Sequence, residues 1–244
     1  FRNVSFKYKN PDGEYTDVLK SVSFTANPGK VTAIIGGTGS GKSTILNLIP
    51  RFYDVADGAV FLDGYDVRQM DFASIYSKIG YIPQQAFLFS GTIADNLRYG
   101  KEDATDAELW RALEIAQAKD FVEKLPDGLY SMISQNGTNL SGGQKQRLCI
   151  ARAIIKEAQF YIFDDSFSAL DFLTEANLRK ALADTIAGKT QLIITQRVTS
   201  AMHCDVILVM EQGTLVDAGS HAELLRRCRV YQEIYASQTG GDGV

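Results

Sequence analysis

Residues 31–44 read VTAIIGGTGSGKST, and this stretch decides the fold. The apolar run 31–35 leads directly into a glycine-rich loop, and the loop leads into a helical segment. A short apolar run bounded in this way is typical of a buried strand in a parallel sheet. Strand, loop and helix in this order predict an α/β fold with a mostly parallel core sheet flanked by helices.

The glycine-rich loop fits the pattern GxxxxGK[ST] and predicts a triphosphate site. Glycines let backbone N–H groups converge on phosphate oxygens, and the N-terminus of the following helix adds its dipole. Lys42 is expected to neutralise the β- and γ-phosphates, and Ser43 Oγ is expected to bind Mg²⁺. The alternative, a glycine-rich turn with an unrelated lysine, is disfavoured by the flanking strand and helix. The predicted phosphate-binding residues are Gly36, Gly37, Thr38, Gly39, Ser40, Gly41, Lys42, Ser43 and Thr44.

The bulk composition indicates a globular chain with one sizeable core. Of the 244 residues, 45% are hydrophobic and 22% are charged, and the formal net charge is −4. This charge leaves no basic footprint, so nucleic acid is not expected as a ligand. The three cysteines lack metal-ligand spacing and are interpreted as reduced packing residues. No apolar run approaches the roughly 18 residues of a membrane span.

Alternating and apolar segments predict strands on both sides of a helical region. The predicted strands are 4–8, 21–25, 31–35, 58–64, 160–163, 192–195 and 206–210. Helical spacing predicts helices at 106–119, from the glycine-rich segment 140–144 to 155, and at 171–187. We interpret 1–85 with 157–244 as the β-rich part and core, and 86–156 as an inserted helical subdomain. The chain starts at Phe1 inside a strand pattern, which suggests a piece of a longer polypeptide, and the glycine-rich tail 239–244 is expected to fray.

A second glycine-rich loop and an acid at the end of a buried strand complete the pattern. Residues 140–144 read LSGGQ, an anion-friendly loop at a helix start, and one triphosphate would not need two such loops in one chain. The apolar strand 160–163 ends in Asp164, and SALD follows at 168–171. With GGTGSGKST and Gln84, this order resembles the nucleotide-binding domain of ABC transporters over essentially the whole chain. LSGGQ together with a phosphate loop is highly specific to ABC ATPases.

The resemblance implies a P-loop NTPase (RecA-like) core with an N-terminal antiparallel β subdomain and an inserted α-helical subdomain. It implies ATP and Mg²⁺ as cofactors and a second nucleotide-binding domain as partner. The segment 87–97, FLFSGTIADNL, is similar to exporters that fuse membrane and nucleotide domains. A transmembrane domain in the same polypeptide and a place at the cytoplasmic face of the cell membrane are therefore expected.

Each implied role falls on a residue of this sequence. Tyr8 matches the aromatic residue that stacks on adenine, with Tyr15 as the alternative. Gln84 matches the glutamine that contacts Mg²⁺ and couples to the membrane domain, and Asp164 matches the metal-side aspartate. Asp171 matches the D-loop at the dimer interface, and its position also suits a helix N-cap. The signature that closes over the partner's ATP corresponds to Ser141, Gly142, Gly143 and Gln144.

Two catalytic positions depart from the family pattern near the expected γ-phosphate. Asp165 stands where the family usually has the glutamate that polarises the attacking water, and its carboxylate reaches about one bond length less far. Gln196 stands where the family usually has histidine, and glutamine can hydrogen-bond a phosphate but carries no charge and shuttles no proton. We expect these changes to leave ATP binding intact and hydrolysis slow.

The intact signature favours a heterodimer. A homodimer would contain two equally weak sites, whereas in a heterodimer residues 140–144 would complete a competent site in a different partner chain. We therefore expect the degenerate-site subunit of a heterodimeric bacterial ABC exporter. Two alternatives stay open: a homodimeric exporter with ordinary ATPase activity, and a soluble ABC ATPase that acts on nucleic acid or ribosomes.

Overall fold

A computed structural model describes residues 1–239, and these form a mixed α/β fold with a mostly parallel central sheet. The strands are β1 (Arg2–Lys9), β2 (Tyr15–Val22), β3 (Val31–Gly36), β4 (Asp57–Ala59), β5 (Phe61–Leu62), β6 (Tyr65–Asp66), β7 (Ile79–Ile82), β8 (Gly91–Thr92), β9 (Met132–Ile133), β10 (Phe160–Asp164), β11 (Thr190–Ile194), β12 (Val206–Glu211) and β13 (Thr214–Gly219). The helices are α1 (Lys42–Leu48), α2 (Phe72–Lys78), α3 (Ile93–Arg98), α4 (Asp106–Ile115), α5 (Lys119–Glu123), α6 (Gly142–Ile154), α7 (Phe172–Thr185), α8 (Val198–Ala201), α9 (His221–Arg227) and α10 (Arg229–Thr239). The predicted fold class is confirmed, while residues 240–244 of the tail expected to fray lie outside the described part.

The chain divides into two compact units, one formed by Phe1–Ile79 with the chain from Thr190 onward, the other by Gly80–Lys189. The division reflects only which parts of the chain pack compactly together, and it does not identify functional subdomains. The predicted subdomain boundaries, 1–85 with 157–244 and 86–156, therefore stay a prediction.

In the first unit, β3 is the central strand. It pairs in parallel with β11 and β12, and β13 joins β12 in antiparallel fashion. Ala33, Ile34 and Ile35 are fully buried, which explains why this strand reads as an unbroken apolar run. The carboxyl ends of parallel strands lie at one edge of a sheet, so the loops after β3 and β11 leave from the same edge.

A smaller antiparallel sheet precedes this core in the same unit, with β1 between β2 and β4. Phe6 and Leu19 are buried and occupy paired positions on one face, while the intervening residues are mostly exposed. This alternation is typical of a sheet with one face toward the core.

The second unit combines helices α3 to α7 with the neighbouring strands β7 and β10. Helices α3, α4 and α6 each begin with a capping box. The Ser or Thr side chain at the N-cap accepts from the backbone N–H of N3, and the N3 side chain accepts from the backbone N–H of the N-cap. Tyr161, Ile162 and Phe163 of β10 are almost completely buried. Asp164 therefore lies at the end of a buried strand.

Several predicted boundaries moved for local reasons. The strand predicted at 21–25 corresponds to β2, which ends at Val22, directly after Ser21 with its left-handed φ of 50°. The strand predicted at 58–64 breaks into β4 and β5, and the helix predicted at 106–119 ends at Ile115 because Gln117 has φ 55°. Left-handed residues other than glycine, such as Ser21 and Gln117, carry little sequence signal, which explains the errors at these two boundaries.

Candidate functional site

The loop between β3 and α1 has the open glycine backbone that a phosphate site needs. Gly39 and Gly41 have φ of 77° and 97°, a region that only glycine occupies easily. A Cβ at Gly41 would also lie 2.6 Å from Leu19 Cδ2, whereas a Cβ at Gly37 or Gly39 would meet nothing within 4 Å. The loop is therefore packed against its neighbours at Gly41 and has open space beside Gly37 and Gly39.

Lys42 is buried, and its ammonium group lies inside this loop. Its Nζ donates to the carbonyl oxygens of Gly36 and Gly37, both at 2.7 Å, and to Ser40 Oγ at 3.2 Å. These partners are neutral oxygens, and anionic phosphate oxygens would form stronger hydrogen bonds with the same ammonium. The lysine is therefore held at the position from which it can bind an anion in the loop.

The first turn of α1 suits a phosphate and a hard cation. It contains no acidic residue, and no side chain caps its N-terminus. The first N–H groups of a helix have no partner within the helix, so this turn and the positive end of its dipole favour an anion. Ser43 is exposed in this turn and offers a hydroxyl oxygen, the kind of ligand that Mg²⁺ prefers.

Tyr8 lies beside the phosphate loop, and Tyr15 lies on the opposite face of the sheet. Tyr8 Oη is 3.4 Å from Thr44 Oγ1. Tyr15 is paired with Lys9 across β1 and β2, and Lys7 Nζ lies 4.7 Å from its ring centroid. Directly paired residues share a face and successive residues of a strand point to opposite faces, so Tyr15 faces away from Tyr8.

Two further aromatic rings fix the orientation of Tyr8. Phe6 meets it edge to face at a centroid distance of 4.8 Å, and Tyr53 does so at 5.3 Å. Edge-to-face contacts are favourable for aromatic pairs and restrict rotation of the ring. The sequence pattern did not reveal Tyr53, because its only signal is an aromatic residue shortly after α1.

Gln196 lies two residues beyond β11, at the sheet edge from which the phosphate loop also leaves. The preceding residue donates its amide to the carbonyl of Ile34 at 3.3 Å, so the loop starts next to the end of β3. The side chain of Gln196 is exposed. Its carbonyl oxygen accepts from Gln238 Nε2 at 2.6 Å, a contact with α10 that no sequence motif indicates.

In the second unit, Asp164 ends β10 and is held by a neighbouring tyrosine. Tyr81 Oη donates to Asp164 Oδ2 at 3.3 Å. Burial, followed by the charge of Asp164, raises the pKa of Tyr81 well above its ordinary value, so this hydroxyl stays protonated as a donor. Ser166 Oγ donates to the carbonyl of Ile82 at 2.8 Å and ties the end of β7 to the segment after Asp164. Gln84 follows β7 with an exposed side chain.

Asp165 has an unusual backbone conformation. Its φ is 42°, and its carbonyl oxygen accepts from the amide of Ser168 at 3.2 Å and from Ser168 Oγ at 2.8 Å. Aspartate occupies the left-handed region more often than most residues other than glycine. The turn after β10 therefore suits the shorter acid found here.

The segment 140–144 forms the capped start of α6. Ser141 Oγ accepts from the Gln144 amide at 3.2 Å, and Gln144 Oε1 accepts from the Ser141 amide at 2.8 Å. A Cβ at Gly142 would meet nothing within 4 Å, whereas one at Gly143 would lie 3.3 Å from the Ala169 carbonyl oxygen. The fold therefore leaves Gly142 open and uses Gly143 for a close approach.

Asp171 is the N-cap of α7, as its position suggested. Its carboxylate accepts from the Thr174 amide at 3.0 Å. This bond, with others from the Thr174 side chain and nearby backbone, lowers the pKa of Asp171, so the group stays ionised at neutral pH.

The chemistry of the predicted metal ligands fits magnesium. Ser43, Gln84 and Asp164 offer hydroxyl, amide and carboxylate oxygens, which hard cations prefer. Within residues 1–239, no cluster of three or more His, Cys, Asp and Glu side chains could hold a metal ion by itself. Protein oxygens of this kind bind Mg²⁺ together with substrate phosphates and water. In the same range, no helix has the length and apolar character to cross a membrane.

The fold and these motifs define a P-loop nucleotide-binding domain. A family model described as ABC transporter matches residues 19–168. The chain therefore belongs to the ABC transporter family, as its sequence motifs predicted.

Known proteins similar to this chain are ABC transporter components. It is 46% identical over 239 residues to an uncharacterized ABC transporter ATP-binding protein of Mycobacterium tuberculosis, a match that covers 97% of this chain and 40% of that protein. It is 42% identical over 236 residues to the ATP-dependent lipid A-core flippase of Pseudomonas aeruginosa, covering 96% and 39%. A solved structure of a bacterial Atm1-family ABC exporter with ATP bound matches with a TM-score of 0.94 and 36% identity, over 100% of this chain and 42% of that one. The chain thus spans about two fifths of the length of the curated relatives it matches.

Proposed function

We propose that this chain is the ATP-binding domain of a heterodimeric ABC exporter, with a site of its own that binds ATP and hydrolyses it slowly. One observation carries the proposal. The phosphate loop and the signature are intact, while both residues expected next to the γ-phosphate, Asp165 and Gln196, depart from the family pattern.

Binding of ATP is supported by the residues of the first unit. Lys42 has its ammonium inside the loop, and the open backbone at Gly37 and Gly39 leaves room for phosphate oxygens. Tyr8 lies beside the loop with its orientation held by Phe6 and Tyr53, which suits stacking on adenine. Bound Mg²⁺ would neutralise phosphate charge, with Ser43, Gln84 and Asp164 as its protein ligands.

Slow hydrolysis follows from the chemistry of the two unusual residues. A general base must lie within hydrogen-bond reach of the water that it activates, and Asp165 has a shorter side chain than glutamate. Gln196 can donate a hydrogen bond to a phosphate oxygen, but it cannot supply the charge or the proton of an imidazolium. The site therefore keeps the groups that bind ATP and lacks those that favour its cleavage.

The role of the signature lies in the partner. In ABC proteins each ATP lies between one chain's phosphate loop and the other chain's signature. The capped helix start at Ser141 and the open position at Gly142 support such a contact. A different partner chain with a competent acid and histidine would then hydrolyse the ATP that this signature covers. The proposal also includes a membrane domain in the same polypeptide. It places the chain at the cytoplasmic face of the cell membrane and assigns it a role in the export of a substrate.

The proposal is tested by following the fate of bound nucleotide. The chain is loaded with ATP and Mg²⁺, excess nucleotide is removed, and bound ATP and ADP are quantified over time. We expect ATP to bind and to persist for many minutes, and Lys42→Ala to abolish loading. Rapid appearance of ADP would contradict the slow site but not the ATP-binding domain, and failure of the wild-type chain to bind ATP would contradict both.

A further inference from the structure

One side chain of the last helix holds the loop that carries Gln196. Gln238, near the end of α10, donates from Nε2 to the Gln196 carbonyl oxygen at 2.6 Å. Its Oε1 accepts from the Val198 amide at 2.8 Å. One side-chain amide thus donates one hydrogen bond to the loop and accepts another from it.

The apolar face of α10 explains why Gln238 reaches this loop. Tyr231, Ile234 and Tyr235 follow helical spacing, and Gln238 continues the same face by one turn. Tyr231 is fully buried in a core cluster that includes Val198, and the other two residues pack against that cluster. The face is therefore anchored directly beneath the loop.

The end of this face is further fixed by α9. His221 Nδ1 lies 2.7 Å from Tyr231 Oη, so the buried tyrosine has a polar partner. With its anchor fixed, α10 has little freedom to slide along the core. These contacts hold the first turn of α10, and the helix carries Gln238, which is itself exposed, to the loop.

The two bonds restrict the backbone on both sides of Arg197. A carbonyl held at Gln196 and an amide held at Val198 leave the intervening peptides little freedom to rotate. The Gln196 side chain is exposed, so its direction depends on this backbone rather than on packing. The amide of Arg197 donates to Thr195 Oγ1 at 3.0 Å, which adds a third restraint from within the loop.

We propose that Gln238 is a positioning residue, which aims Gln196 at the γ-phosphate and so contributes to the preference of the site for ATP over ADP. This inference rests on the proposed function, because only an ATP site gives Gln196 a γ-phosphate to meet. The terminal helix then belongs to the nucleotide site although it does not touch the nucleotide. We call the two hydrogen bonds from Gln238 to the loop the clamp. Loss of the clamp should weaken ATP binding and leave ADP binding unchanged.

The test compares Gln238→Leu with a matched control in the same helix. Gln232 Nε2 donates to the Leu225 carbonyl oxygen at 2.7 Å, so Gln232→Leu removes the same kind of bond away from the loop. Dissociation constants for ATP and ADP are measured by calorimetry with Mg²⁺ present, and thermal melting is recorded for each variant. We expect Gln238→Leu to reduce the ATP preference about threefold to tenfold, the range of one to two hydrogen bonds, and Gln232→Leu to leave it unchanged.

A double-mutant cycle separates positioning from a general structural effect. In a Gln196→Ala background the clamp has no side chain to aim, so Gln238→Leu should cause no further loss of ATP preference. Gln238→Glu provides a second variant: it can accept from Val198 but cannot donate to Gln196, so an intermediate loss is expected. Equal weakening of ATP and ADP, an unchanged preference in Gln238→Leu, or a full additional loss in the Gln196→Ala background would overturn the proposal. Absence of ATP binding in the wild-type chain would instead refute the proposed function.

Discussion

At the scale of single residues, the site depends on which way a side chain points. The sequence offers two tyrosines for the adenine base, seven residues apart and both in strands. Their spacing alone does not separate them. The register of β1 and β2 does, because it puts Tyr8 on the face of Thr44 and Tyr15 on the face of Lys7.

We predict that Tyr8→Ala weakens ATP binding and that Tyr15→Ala does not. Stacking between a base and an aromatic ring contributes about 1–3 kcal/mol, so the Kd for ATP should rise roughly 5-fold to 150-fold in Tyr8→Ala. Tripolyphosphate, which has no base, serves as the second ligand and should bind both variants equally well. Loss of ATP affinity in Tyr15→Ala alone would reverse the assignment.

Asp165 combines a chemical change with a conformational one. A left-handed backbone is more accessible to aspartate than to glutamate, so the residue suits its turn as well as a slow site. We predict that Asp165→Glu lowers the free energy of unfolding by less than about 1 kcal/mol, which urea denaturation would measure. A loss several times larger would mean that the turn cannot hold the longer acid.

At the scale of elements, the start of α6 is both a folding signal and an open surface. The capping box formed by Ser141 and Gln144 stabilises the helix, while Gly142 has free space around its Cα. Structure and function can therefore be separated at Gly142. An added methyl group meets nothing within this chain and would meet whatever covers the helix start.

We predict that Gly142→Ala leaves the melting temperature of this chain within a few degrees and impairs the assembled transporter. Alanine is a better helix former than glycine, so folding gives no reason for a loss. ATPase activity stimulated by transport is measured in the complete complex, with Asp165→Asn as the comparison. If Asp165→Asn does more damage than Gly142→Ala, the signature of this chain does not complete the productive site.

Acid stability provides a test of how β3 is held at its start. The Val31 amide donates to Asp205 Oδ2 and Lys30 Nζ to Oδ1, both at 2.9 Å, and these bonds lower the pKa of Asp205. Because the pKa is lower in the folded state, the carboxylate stabilises the fold above its unfolded pKa of about 3.9, and this contribution disappears as pH falls through the folded value.

We therefore predict that Asp205→Asn is less stable than wild type at pH 7 and that the difference shrinks toward pH 3. Urea unfolding at several pH values measures it. Asp184→Asn, at an exposed position of α7, is the control and should track wild type throughout. A difference that stays constant or grows on acidification would show that the lowered pKa of Asp205 does not act as described.

The predictability of strands from sequence mostly follows their burial, although the short buried strand β7 is not among the predicted strands. The runs that became β3, β10, β11 and β12 were recognised within about two residues, because buried strands are continuous and apolar. β2 was displaced and β13 was not predicted, since β2 is mostly exposed and neither sequence alternates regularly between apolar and polar residues. Their positions depend on pairing with a neighbour, which a single strand's sequence does not encode.

At the scale of the whole molecule, the motif residues could be recognised and their supports could not. Loops whose backbone must approach a phosphate closely, such as 36–44 and 140–144, can be recognised by their glycines. Tyr81 and Gln238 have no motif, and their importance comes from contacts with residues far away in sequence. Spacing along helix α10 was the one available signal for Gln238, since it continues the face of Tyr231 and Ile234.

The chain as a whole spans about two fifths of the length of the curated relatives that it matches. Its proposed contribution is divided between two places. Its own site would bind ATP and hold the dimer, and its signature would act in the neighbouring site. This division makes Asp165 and Gln196 the decisive residues.

The most direct test measures ATP turnover at saturating Mg·ATP by the wild-type chain and by the Asp165→Glu, Gln196→His double variant. The restored acid and imidazole should bring back the missing base and charge, so we predict turnover far below 1 s⁻¹ in the wild type and at least a tenfold rise in the double variant. Turnover of about 1–10³ s⁻¹ by the unmodified chain, the range typical of enzymes, would contradict the account.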